Sequence, residues 1–232
     1  MKTIFLDFDG VLFDTAKEAY ILSRYAYYDI NPFEQINSEE YTIFYKNKYL
    51  VTNSWQYFYL MKSLNYNNIE KSFTDLIIKQ SDEDKLFDKK FQKCRLDLMQ
   101  NHFDFWNKLD TPYPFFNEIK KLINNLDIVI VSTKNTEAIS NKLKQYDFNI
   151  PNNKIIGKEI LNNYKSKGDF LLNYIKDNHI SNAIFVDDSK ENLDSCKSIN
   201  NIQLLLADWG YCNPNFAGQS CQSIMNKIKE GV

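Results

Sequence analysis

Apolar residues in this chain fall into two patterns. Short consecutive runs occur in TIFLDF (3–8), LDIVIVST (126–133), KIIG (154–157), NAIFVDD (182–188) and IQLLLAD (202–208). Runs apolar on successive residues suit strands covered on both faces, as in a parallel sheet. Between them, apolar residues recur every three or four positions, in 114–126, 136–146, 167–178, 190–199 and 219–230. That spacing predicts amphipathic helices. Strand–helix alternation of this kind predicts a three-layer α/β/α core, Rossmann-like, with a five-stranded parallel sheet.

Residues 15–108 break the rhythm. They hold no convincing buried strand, are dense in Tyr, Phe and charge, and show helical spacing in EAYILSRYAYY (18–28) and DKLFDKKFQKCRLDLMQ (84–100). They read as an inserted α-helical domain, with 1–14 and 109–232 forming the core. The return point is LDTPYP (109–114), where two prolines stiffen the chain. Tyr20, Tyr25, Tyr45, Tyr49, Trp55, Tyr57, Phe58 and Tyr59 are read as the core of that insert. Arg24, Lys46, Lys48 and Arg95 are its candidate contacts to a second anionic group on a ligand.

With 232 residues, 44% of them hydrophobic, the chain can bury a core of this size. A net charge of −2 leaves no electrostatic footprint for nucleic acid or an acidic membrane. No apolar run approaches the roughly 18 residues of a membrane helix, and Asp7 and Asp9 interrupt any N-terminal leader pattern. The four cysteines lack CxxC spacing, which disfavours a zinc site or a disulfide framework and suits a reducing, cytoplasmic setting. Expected partners are therefore a small-molecule ligand, no nucleic acid and no membrane, for a monomer or homodimer.

Charge enters at two strand ends. Asp7 and Asp9 follow the first apolar run, and Asp187 and Asp188 end the fourth. Side chains at i and i+2 of an extended segment share a side, about 7 Å apart. Two like charges there repel by about 2.4 kcal/mol at an effective dielectric near 20. In open parallel sheets, functional groups gather at the carboxyl ends of strands. If both doublets meet there, up to four carboxylates share one crevice, and a cation or retained protons must offset them. An all-oxygen set favours a hard ion, Mg²⁺ first, with Ca²⁺ or Mn²⁺ behind it. Mg²⁺ among carboxylates suits phosphoryl chemistry: one acid can attack phosphorus and another can serve as general acid and base.

At this point the residues resemble the haloacid-dehalogenase-like (HAD) superfamily. DFDGVLFDT (7–15) looks like its first motif, Ser132 like its second, Lys167 in KSKGDFL like its third, and VDDSKENL (186–193) like its fourth. Trp209–Gly210–Tyr211 also matches a common feature of the family. The resemblance implies Asp7 as nucleophile and metal ligand. Asp9 would be the general acid/base, with its backbone carbonyl on the metal. Asp188 would be a direct ligand, with Asp187 beside it or acting through water. Ser132 and Lys167 would hold the phosphoryl group, helped by backbone N–H groups near Thr133 and Gly10; Lys165 is the rival to Lys167. An acid at position 9 is what the family's phosphatases and phosphomutases carry, which points away from dehalogenation. The insert resembles a C1-type cap. The implied activity is Mg²⁺-dependent hydrolysis of a small phosphate ester through an aspartyl-phosphate. A sugar phosphomutase and a silent binding or regulatory member are the alternatives.

Overall fold

A computed structural model describes residues 2–230. The chain divides into two compact units, residues 1–14 with 112–232, and residues 15–111.

The first unit is built on five strands: β1 (Thr3–Leu6), β2 (Asp127–Val131), β3 (Ile155–Ile156), β4 (Ala183–Asp187) and β5 (Ile202–Leu206). All pairings are parallel, and the order across the sheet is β3-β2-β1-β4-β5. The sequence runs outward from β1 in both directions, so β1 sits at the reversal point where such sheets open a crevice. Side chains alternate between two cores. Ile4, Leu6, Ile128, Ile130, Ile184 and Val186 pack with the helices Pro114–Leu122, Thr136–Gln145 and Cys221–Lys229. Phe5, Val129, Val131 and Phe185 pack with Lys167–Asp177 and the short helix Lys190–Asp194. These are the two helical layers of the expected α/β/α core.

Two helices are shorter than their spacing predicts. The helix expected over 190–199 stops at Asp194. Its C-terminal turn presses on the start of the helix Lys167–Asp177: a Cβ on Gly168 would lie 2.0 Å from the Ser195 carbonyl oxygen, and the Gly168 N–H donates to Ser195 Oγ at 3.0 Å. The helix expected over 114–126 ends at Leu122 and finishes as a 3₁₀ turn, Ile123–Asn125.

The second unit is helical. Its main elements are Ala16–Tyr28, Ser38–Asn47, Tyr57–Ser63, Ile69–Ile77 and Asp82–Asn101. Aromatic rings dominate its interior: Tyr57 stacks between Phe44 and Phe91 at centroid distances of 5.5 and 5.6 Å. Tyr20, Tyr57, Phe58 and Tyr59 are buried as expected, whereas Tyr45 is exposed. Arg95, a candidate anion contact, is instead locked in a buried ion pair. Its Nε and second guanidinium nitrogen donate to the two Glu18 carboxylate oxygens at 3.0 and 3.2 Å, and Trp106 Nε1 donates to Glu18 Oε1 at 2.8 Å. Among the described residues no helix is long and apolar enough to cross a membrane.

Candidate active site

Register brings the two acidic doublets together. β1 and β4 pair in parallel with Leu6 opposite Val186, so the next residues, Asp7 and Asp187, come level. The Asp7 N–H continues the ladder to the Val186 carbonyl at 3.0 Å. Asp7, Asp187 and Asp188 are all buried, and each offers an oxygen within 4.8 Å of the other two. On the opposite side of β1, Ile130 of β2 lies level with Leu6, which places Ser132 at the same end of the sheet.

Lys167, at the first position of its helix, joins this group. Its Nζ is 3.0 Å from Asp7 Oδ2 and 2.8 Å from Asp187 Oδ2, and the side chain is almost wholly buried. Lys165, the rival, lies on the exposed approach to that helix. Burial alone would favour a neutral Lys167 amine, but the Asp187 and Asp7 carboxylates outweigh it and hold the ammonium well above its ordinary range. Asp7 is pushed the other way. Burial raises its carboxyl well above the usual range against the pull of Lys167, and Asp187, Asp188 and Asp9 add to the rise.

The acids of the fourth-strand doublet differ. Asp187 is saturated with donors: Lys167 Nζ, the Ser189 N–H at 2.8 Å, and Asn192 Nδ2 at 3.1 and 3.2 Å to its two oxygens. It anchors Lys167 and the start of the helix Lys190–Asp194. Asp188 is clasped by the loop after β5, whose Tyr211 N–H donates to Asp188 Oδ2. That loop is tied to the first-strand turn by Trp209 Nε1 to the Val11 carbonyl at 3.1 Å and Tyr211 Oη to Asp14 Oδ1 at 2.7 Å. A Cβ on Gly210 would lie 2.3 Å from the Gly10 carbonyl oxygen and 2.5 Å from Asp188 Cβ, so a side chain there would displace the acid.

Gly10 shapes the turn after β1. Its N–H donates to the Phe13 carbonyl at 2.8 Å and closes the turn. Its φ is +85°, and a Cβ would lie 2.0 Å from Asp188 Oδ2. Glycine is required there for a left-handed backbone in close approach to the acid. Ser132 is buried, with its Oγ accepting the Lys134 N–H at 3.3 Å; Thr133 is half-buried in the same turn.

One charged residue escaped the sequence reading. Lys134 is buried, and its Nζ stands 3.4 Å from Asp9 Oδ1. The site thus gathers Asp7, Asp187 and Asp188 around Lys167, with Asp9 beside Lys134, so acids outnumber lysines and the group favours a cation. The donor set is all oxygen, as Mg²⁺ or Ca²⁺ demands. Opposite oxygens around a six-coordinate Mg²⁺ stand about 4.2 Å apart, and the oxygens of Asp7, Asp187 and Asp188 lie within 4.8 Å of one another, close enough to share one ion. Asp9's side chain stands outside that cluster.

No family model matches the chain, and no curated protein matches it. Solved structures do. A protein described as a predicted phosphatase from Clostridium acetobutylicum is 15% identical with a TM-score of 0.68, over 99% of this chain and 98% of that one. A predicted phosphoglycolate phosphatase from Haemophilus somnus is 16% identical with a TM-score of 0.61, over 100% and 98%. A haloacid dehalogenase-like family hydrolase from Streptococcus pneumoniae is 13% identical with a TM-score of 0.60, over 98% of each chain. The likeness therefore runs the full length of both partners, and the chain has the fold of the haloacid dehalogenase-like hydrolases.

Proposed function

We propose that this protein is a Mg²⁺-dependent HAD-like phosphatase that hydrolyses a small phosphorylated metabolite. The observation that carries the reading is the meeting of Asp7, Asp187 and Asp188 with a buried lysine at the reversal point of the sheet. The neighbours described as phosphatases support it.

Asp7, Asp188 and the Asp9 backbone carbonyl would hold the ion, with Asp187 fixed beside them through its own donors. When bound, the ion supplies positive charge that offsets the repulsion between Asp7 and an anionic phosphoryl group. The rest falls to the chain's own residues. Lys167 and the Ser132 hydroxyl, with backbone N–H groups of the turn at Thr133, orient the phosphoryl oxygens. An Asp7 carboxylate oxygen attacks phosphorus; the P–O bond to the alcohol breaks, and Asp9 delivers its proton to the departing oxygen. Asp9, now ionised, takes a proton from water, and that water cleaves the aspartyl-phosphate. Phosphate leaves, Asp7 is again a carboxylate and Asp9 is again protonated. The helical unit 15–111 corresponds in this reading to a C1-type cap, and the four unpaired thiols suit a cytoplasmic enzyme.

The test is a screen of the purified protein against phosphorylated metabolites with released phosphate as readout. Mg²⁺-dependent release silenced by EDTA is expected. No release across sugar phosphates, phosphorylated hydroxy acids and nucleoside monophosphates would overturn the reading.

A further inference from the structure

We propose that Lys134 is a positioning residue for Asp9, the acid that serves the leaving group; the inference rests on the phosphatase reading above. Lys134 lies two residues past Ser132, in the turn that ends β2. Its ammonium is 3.4 Å from Asp9 Oδ1, while its side chain is 1% exposed and that of Asp9 is 26% exposed. Nζ also stands 5.7 Å from the centroid of the Phe8 ring, so the group beside Asp9 is a cation over an aromatic face.

The backbone of Lys134 is fixed on both sides. Its N–H donates to Ser132 Oγ, and its carbonyl accepts the Lys158 N–H at 2.9 Å. Gly157 makes the second contact close: a Cβ there would lie 2.8 Å from the Lys134 carbonyl oxygen. The ammonium is therefore presented by a braced turn, and water has little access to it.

Asp9 has reason to need such a partner. Asp7, two residues before it, belongs with Asp187 and Asp188 to a buried cluster of acids. Repulsion from that cluster acts to turn a half-buried Asp9 carboxylate outward. Lys134 opposes that force by holding Asp9 Oδ1. Lys167 cannot do so, because it is committed to Asp7 and Asp187. The two lysines thus divide the work: one holds the nucleophile, the other orients the proton donor.

The experiment is a double-mutant cycle of Lys134→Met and Asp9→Asn, read in two ways. In turnover, Lys134→Met lowers kcat about 10²-fold on alkyl phosphates, where the leaving oxygen needs a proton, and less than about fivefold on p-nitrophenyl phosphate. KM stays within about twofold, Lys134→Arg recovers most of the loss, and adding Lys134→Met to Asp9→Asn costs less than about twofold more. Equal losses on both esters, or the same loss in both backgrounds, would overturn the assignment. In thermal melts of the same four metal-free proteins, Lys134→Met lowers the midpoint at least about 3 °C more beside Asp9 than beside Asn at position 9. Additive shifts would overturn it. If the wild-type protein hydrolyses no ester, the phosphatase reading fails, and the melts alone decide whether Lys134 holds Asp9.

Discussion

Each unit of this protein buries a cluster of charge, and the two clusters are opposites. In the helical unit, Glu18 meets Arg95 and Trp106, so one acid faces one base and a neutral donor supplies a further hydrogen bond. The charge cancels and both carboxylate oxygens have donors. In the α/β unit, Asp7, Asp187 and Asp188 crowd around Lys167, Asp9 stands beside Lys134, and acids outnumber bases. Crowding buried acids together is costly, and a ligand of opposite sign offsets that cost. Balance marks a cluster that holds structure together; imbalance marks one that waits for something.

The contrast breaks most visibly at the two central acids. Asp7→Asn should reduce phosphate release by at least about 10⁴-fold, the scale of a lost nucleophile, without lowering the thermal midpoint. A variant with near wild-type turnover would remove Asp7 from the chemistry. Glu18→Gln should do the reverse and destabilise. Breaking a buried pair costs about 3–5 kcal/mol because Arg95 is left uncompensated; an unchanged melt would show that the pair contributes nothing.

A smaller effect sharpens the idea of a vacancy for charge. At about 100 times its Kd, Mg²⁺ should stabilise the wild-type protein by about 2.7 kcal/mol. That corresponds to a rise of about 5–10 °C in the thermal midpoint, and the rise should vanish in Asp188→Asn. A rise that survives the substitution would place the ion elsewhere. The smallest effect concerns pH. The Asp7 carboxyl is raised in the folded protein, first by burial and then by its neighbouring acids. Its contribution to stability is therefore full below the ordinary carboxylate range and is lost as pH rises through the folded value. Metal-free wild-type protein should lose a few degrees of melting temperature on going from acid to neutral pH that Asp7→Asn does not lose. Parallel curves for the two proteins would contradict the shift.

The legible parts of the fold were those where local pattern and tertiary role agree. Runs such as AIFVDD announce a strand covered on both faces, and acids placed directly after an apolar run stand out because nothing apolar explains them. Helix ends were less legible. The turn after Asp194 is set by the backbone of Ser195 meeting Gly168, a contact that no spacing rule contains. Gly10 drew notice for N–H groups near it, whereas its approach to Asp188 and its own hydrogen bond to Phe13 are tertiary contacts that appear only in the folded chain. Lys134 was invisible because a lone lysine after a strand reads as surface, and its partner is 125 residues away. Arg95 read as an anion contact for the same reason, with Glu18 77 residues distant. Asn192 carries a faint signal, since Ser189 followed three residues later by Asn192 is a helix-start pattern. Its contact with both oxygens of Asp187 still needs the folded chain to appear.

The most direct measurement is a mass determination on protein quenched in acid during turnover of a phosphate ester. The account predicts one added phosphoryl group per chain, on the peptide that carries Asp7, formed with Mg²⁺ and absent with EDTA. Steady phosphate release with no label on that peptide, or a label on another residue, would contradict it.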